Sequence, residues 1–136
     1  MSTNFFTNAF ADNFRLAASR QVISPSDGTY NLIRIPKFAF VSDVWLQVIT
    51  ANDVEPETCS VGWVGNGETA VTNGFITTDI ADSTVAGLKR AKKDAATTWE
   101  GKYFSAASGM ITFTFSNGSA ATLGTFRVFA QYTVIH

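Results

Sequence analysis

The sequence predicts an all-β chain, a single antiparallel domain of sandwich or barrel type with about seven or eight strands. Apolar and polar residues alternate with a period of two through most of it, as they do along half-buried strands, whose successive side chains point to opposite faces. Clusters of Gly, Asn, Asp, Ser and Pro interrupt these runs at intervals of roughly ten residues, the spacing of turns in sandwiches and barrels. With 136 residues the chain fits one domain, whose core is large enough to stand without staples.

Residues 1–15 are the least β-like and are read as an N-terminal arm or short helix, with residues 16–136 as the β-domain. Phe6, Phe10 and Phe14 recur every four residues with Phe5 beside them, which on a helix makes one stripe. Two readings stand open: the stripe plugs one end of the domain's own core, or it docks on a neighbouring subunit or partner. Strand pattern begins near Leu16. Val22-Ile23 ends in the turn Ser24-Pro25-Ser26-Asp27-Gly28. Tyr30 to Ile35 is a strand stopped by Pro36, which has no N–H for a ladder. Lys37 to Thr50 is the longest run, and its two faces exchange polarity near Ser42, the mark of a bulge. Phe38 and Phe40 are placed with Val44, Leu46 and Val48 on the apolar side.

Ala51 to Glu57 form an acidic loop, and Thr58 to Val64 a strand closed by the turn Gly65-Asn66-Gly67-Glu68. Ile80 to Lys93 is read as an exposed loop or short helix, and Trp99 to Phe104 returns to strand. The strongest alternation comes last. Ile111, Phe113 and Phe115 oppose Thr112, Thr114 and Ser116. Then Phe126, Val128, Ala130, Tyr132 and Val134 share one face of a final run, with Phe129 and Ile135 among polar residues on the other. These two runs are read as a C-terminal hairpin whose last strand is central to the core.

Composition narrows the function. Charged residues are 15% of the chain, against about a quarter in ordinary soluble domains. Aromatics reach 13%, with 12 Phe, more than a small domain easily buries, so a partner surface is expected. The net charge of −1 gives no basic footprint for nucleic acid. No apolar run matches a membrane-spanning helix, and Met1 to Phe5 lack the pattern of a secretory leader, so synthesis in a cytoplasm is expected. The single cysteine, Cys59, allows no intrachain disulfide and reads as a small buried hydrophobe.

No motif carries catalysis, a cofactor or a metal. His136 is the sole histidine and the last residue given, a poor base for a rigid triad. Asp79 and Asp82 have a spacing common to solvated turns and select no Ca²⁺ site. Glu55, Glu57 and Glu68 define no glycosidase pair, and the glycines from Gly62 to Gly67 precede no helix that would make a phosphate cradle. Trp45 and Trp63 lie in apolar strands and are assigned to the core. Trp99, beside Glu100, is the one tryptophan proposed for ligand stacking. Lys89, Arg90, Lys92 and Lys93 gather four of the ten basic residues and suit a solvated face or an acidic partner surface.

Several segments resemble the decoration, or cement, proteins of tailed-bacteriophage capsids: Ile35-Pro36-Lys37 leading into Val41 to Leu46, Val61-Gly62-Trp63 with the Gly65–Glu68 turn, Lys102 to Gly109, and Gly124 to His136. The likeness covers residues 30–136 and leaves the Phe-rich arm outside it. It implies a jelly-roll-like β-sandwich, a homo-oligomer with a trimer favoured, and a place on the outside of the head. It further implies binding to the major capsid protein after synthesis in the bacterial host. Phe5, Phe6, Phe10 and Phe14 are the first candidates for the capsid or subunit interface; Lys89, Arg90, Lys92 and Lys93 are the second. The alternative function is a host-attachment or carbohydrate-binding module of a head fibre or tail, with Trp99 at its site.

Overall fold

The computed structural model describes residues 14–51, 58–91, 101–116 and 124–135. Ten strands and one helical turn occur among them: β1 (Phe14–Ala18), β2 (Val22–Ile23), β3 (Gly28–Ile35), β4 (Ala39–Thr50), β5 (Thr58–Gly65), β6 (Glu68–Ile76), α1 (Thr78–Ala81), β7 (Gly87–Arg90), β8 (Lys102–Tyr103), β9 (Gly109–Ser116) and β10 (Thr125–Val134). The surplus over the expected seven or eight comes from the run after Leu16, which divides into β1 and β2, and from β7, which lies in a segment read as loop or short helix.

The strands form two sheets. The first has the order β1-β10-β4-β7, with β2 also on β10 and β8 also on β4; the second has the order β3-β9-β5-β6. All pairings are antiparallel. The chain changes sheet from β2 to β3, β3 to β4, β4 to β5, β6 to β7, β8 to β9 and β9 to β10. Strands distant in sequence are thereby interleaved within each sheet, which is the double Greek key of a jelly roll.

This arrangement corrects the expected C-terminal hairpin. β9 and β10 lie in different sheets: β9 pairs with β3 and β5, and β10 with β1, β2 and β4. Each is central to its own sheet, so the inference that these runs anchor the core survives the loss of their pairing. Ile111, Phe113 and Phe115 face inward from β9, and Phe126, Val128 and Ala130 meet them from β10. The rings of Phe113 and Phe126 have centroids 5.0 Å apart, and those of Phe115 and Phe126 are 5.7 Å apart. Full burial of each ring contributes about 1.5–3 kcal/mol, and here the rings join the two layers.

The expected bulge in β4 is present. Gln131 pairs with Asp43 and Tyr132 with Val41, so Ser42 has no register partner. Its hydroxyl donates to the Gln131 carbonyl at 3.2 Å. Side-chain parity therefore changes across Ser42: Ala39 and Val41 are buried before it, and Val44, Leu46 and Val48 after it. Phe38 and Phe40 consequently lie on the half-buried side rather than with the core set. The same parity turns Trp45 outward, against its assignment to the core.

Leu88 to Arg90 belong to a strand, not to the expected exposed loop or short helix. β7 pairs with β4 through Trp45↔Arg90, Leu46↔Lys89 and Gln47↔Leu88. Leu, Lys and Arg favour helix locally, but the open ladder of β4 offers partners for their backbone. Gly87, with φ +137°, supplies a start that side-chain-bearing residues rarely adopt. The helical turn that does form, α1, overlaps the expected segment only at Ile80 and Ala81.

Candidate interaction surface

The two outer faces of the sandwich differ in chemistry. On the second sheet they carry hydroxyls: Thr29 and Thr114 share a hydrogen bond of 3.0 Å across β3 and β9. The Ser60 hydroxyl donates to the Thr72 carbonyl at 2.9 Å. There β6 leaves regular register between Val61↔Ile76 and Trp63↔Val71, and its extra residues cross over Gly62. A Cβ at Gly62 would lie 1.8 Å from the Val71 carbonyl oxygen, so only glycine admits the crossing.

The outer face of the first sheet is apolar. One rung runs Ala18, Phe129, Trp45, Arg90 across β1, β10, β4 and β7, and the neighbouring rung sets Arg127, Gln47 and Leu88 side by side. Leu16, Trp45, Gln47, Leu88 and Phe129 line a groove of about 310 Å³. Leu16 and Leu88, its two walls, are 71% and 62% exposed, and Ile49 adds a further exposed aliphatic on β4. Among the described residues Gln47 is the only polar side chain in the lining. Such a concavity gains from burial of apolar surface and suits side chains of a protein partner better than a sugar.

Two arginines border the groove and are fixed there. The Arg90 guanidinium lies 5.6 Å from the Trp45 ring and that of Arg127 lies 5.7 Å from Phe129. Arg90 donates from Nε to Asp43 Oδ2 at 2.7 Å, with Nη2 at 2.6 Å from the same oxygen. Asp43 is buried just after the bulge, and its other oxygen accepts the Val44 N–H at 2.9 Å. Arg127 donates from Nε to the Ser19 carbonyl at 2.8 Å. Both guanidinium groups are held beside aromatic rings at the border of an apolar floor, that of Arg90 with its charge met by Asp43.

The candidate residues named from sequence are only partly brought together here. Phe14 opens β1 opposite Thr133, two residues before the expected start of the β-domain at Leu16. Strand alternation divides the basic cluster: Arg90 shares the groove face with Leu88, and Lys89, half-buried, points to the other side. Phe5, Phe6, Phe10, Lys92, Lys93 and Trp99 lie outside the described residues. The groove itself was missed because Leu16, Trp45, Leu88 and Phe129 come from four separated segments. Trp45 and Phe129 stand among polar residues on the outer sides of their strands, but Leu16 shares its side of β1 with Phe14 and Ala18, so no one signal marks all four.

Trp63 offers no open stacking platform. Its ring carries the Lys102 ammonium at 4.7 Å, and a Cβ at Gly74 would fall 2.1 Å from its Cζ3. Its Nε1–H donates to Glu68 at 2.9 Å, and Lys102 pairs with the same carboxylate. Hydrogen bonds from Lys102 and Trp63 lower the Glu68 pKa. Asp82 is engaged by its own loop, accepting from the Thr84 hydroxyl at 2.6 Å and from its N–H at 3.2 Å, which lowers its pKa as well. Among the described residues no three of His, Cys, Asp and Glu cluster as metal ligands.

No protein-family model matches the chain, and no curated protein matches it. Solved structures do. The acidic stable capsid structure of Helicobacter pylori bacteriophage KHP30 contains a similar chain with TM-score 0.63 and 18% identity, covering 88% of this chain and 86% of that one. A chain of the cyanophage Pam1 capsid asymmetric unit gives 0.66 and 16%, covering 90% and 86%. One in the capsid of Ralstonia phage GP4 gives 0.61 and 13%, covering 90% and 85%. The fold is thus that of chains found in phage capsids, as the sequence resemblance implied.

Proposed function

We propose that this chain is a non-enzymatic structural protein of a phage virion, a decoration or cement protein that binds the outside of the head and braces the major capsid lattice. The observation that carries this is the end-to-end match to capsid chains. Because nearly nine tenths of each partner is covered as well as of this chain, those capsid chains are themselves small, as an accessory subunit is. The exposed apolar face of the first sheet supports an assembling role from physical grounds alone.

In this reading the subunit works as a homo-oligomer, with a trimer favoured. Phe5, Phe6, Phe10 and Phe14 provide contact with a neighbour, and Lys89, Arg90, Lys92 and Lys93 a second, electrostatic one. Weak contacts repeated around a ring sum through effective concentration. The carbohydrate-binding alternative, centred on Trp99, has less behind it: Trp63 is covered, and the groove beside Trp45 holds one polar side chain.

Cryo-electron microscopy of particles, with and without the gene for this chain, tests the proposal. Density for the jelly roll on the outer surface, present only with the gene and seated over junctions of the shell, is expected. Density confined to the tail or a fibre tip would overturn it.

A further inference from the structure

We infer that the groove on the first sheet receives the Phe-rich N-terminal segment, residues 1–13, of a second copy of this chain. The inference deepens the proposed assembly and rests on that reading. Its first ground is chemical fit. The segment carries Phe5, Phe6 and Phe10 with one acidic residue, Asp12, and no basic one. The groove is floored by Trp45 and Phe129, walled by Leu16 and Leu88, and bordered by Arg90 and Arg127. Phenylalanine side chains fill such a site through apolar burial and ring stacking, and the cationic border meets their π faces. The lone acidic residue on the segment can be met by Arg127, whose Nε bonds a neutral carbonyl, whereas Arg90 is already paired with Asp43 and borders the groove by its plane alone.

The second ground is direction. β1 begins at Phe14 on the rung of Thr133 and reaches the rung of Phe129 only at Ala18. The strand therefore points, read backwards from Phe14, away from the groove level and off the end of the sheet. At about 3.4 Å per residue the groove floor lies roughly 13 Å behind that exit. A contact with the groove of the same subunit would require the chain to reverse direction before Phe14.

The third ground is length. Thirteen residues span at most about 45 Å when extended, more than enough to cross a subunit boundary and lie over two strands spaced about 4.8 Å apart. In a closed ring each copy then gives one segment and receives one, so no groove is left open.

The test uses two full-length variants, Ala9→Cys and Gln47→Cys, mixed, refolded together if needed, and mildly oxidised. Both leave every phenylalanine in place, and the native Cys59 thiol is buried and does not take part. A disulfide joining the two different chains is expected, and it should be lost when Leu88→Arg is added to the Gln47→Cys chain. That added variant must keep its far-ultraviolet circular dichroism. A chain carrying both cysteines that closes only on itself would overturn the inference, as would no disulfide at all. Sedimentation of a chain lacking residues 2–11 gives a second reading: a fall to monomer mass with the fold retained is expected, and an unchanged mass would contradict it. Head binding by the wild-type chain is measured alongside. If it persists without cross-linking, the groove inference fails alone; if it is absent, the proposed function fails.

Discussion

At the scale of single residues, two buried groups make predictions of opposite sign. Cys59 is enclosed between the sheets, and burial pushes its thiol up to about 12, with the Asp82 charge adding to the effect. In the unfolded chain the thiol ionises near its ordinary value of 9.0. The folded state therefore holds the proton more tightly, and this contribution is whole below pH 9 and lost as pH rises from 9 towards 12. Unfolding midpoints should fall over that window, and Cys59→Ala should flatten the fall while lowering stability at neutral pH. Iodoacetamide should label the native chain only after denaturant is added. Thr112 behaves differently. Its hydroxyl is buried on β9 without a hydrogen-bond partner, so it bears a desolvation cost with no return. Thr112→Val should raise stability by about 1 kcal/mol in urea unfolding, and a loss of similar size would show that the hydroxyl is satisfied in solution.

At the scale of elements, the bulge in β4 decides which residues become core and which become surface. It leaves Asp43 on the outward side with Trp45 yet 1% exposed beneath its neighbours, where Arg90 from β7 answers it with a side chain still 53% exposed. The two partners are unequal. Removing Arg90 leaves a buried carboxylate under the outer face with the Val44 N–H as its remaining partner in this cluster, and Arg90→Ala should cost about 2–3 kcal/mol, below the 3–5 for a pair wholly out of water. Asp43→Asn keeps an acceptor for Val44 and releases an arginine that water reaches, so about 1 kcal/mol is expected. Equal losses in denaturant titrations would contradict this asymmetry. The bulge was legible because Val41 and Val44 break the two-residue period around Ser42. The inward set of β9 and β10 was legible for the same reason, since each run carries its own alternation. Pairing was not, because β9 and β10 seek partners far along the chain, and neither Asn117-Gly118 nor the alternation tells which sheet a strand joins. β7 escaped notice because four residues cannot show a period, and their helical preference yields to the open ladder of β4.

At the scale of the whole molecule, the jelly roll buries a phenylalanine-rich interior and still leaves one sheet face greasy. The hydroxyl-lined face of the second sheet gives the molecule a polar side and a sticky one, the polarity required of a subunit that sits on a surface. The groove was hidden in the sequence for a physical reason: its walls come from β1, β4, β7 and β10, and only the fold brings them together. The most direct measurement is calorimetry of phage heads assembled without this chain, before and after the purified protein is added. Saturable binding at a fixed number of copies per shell, with the shell's melting shifted upward, is the expected result. Heads that bind none of it, or that melt unchanged when fully bound, would contradict a role in bracing the capsid.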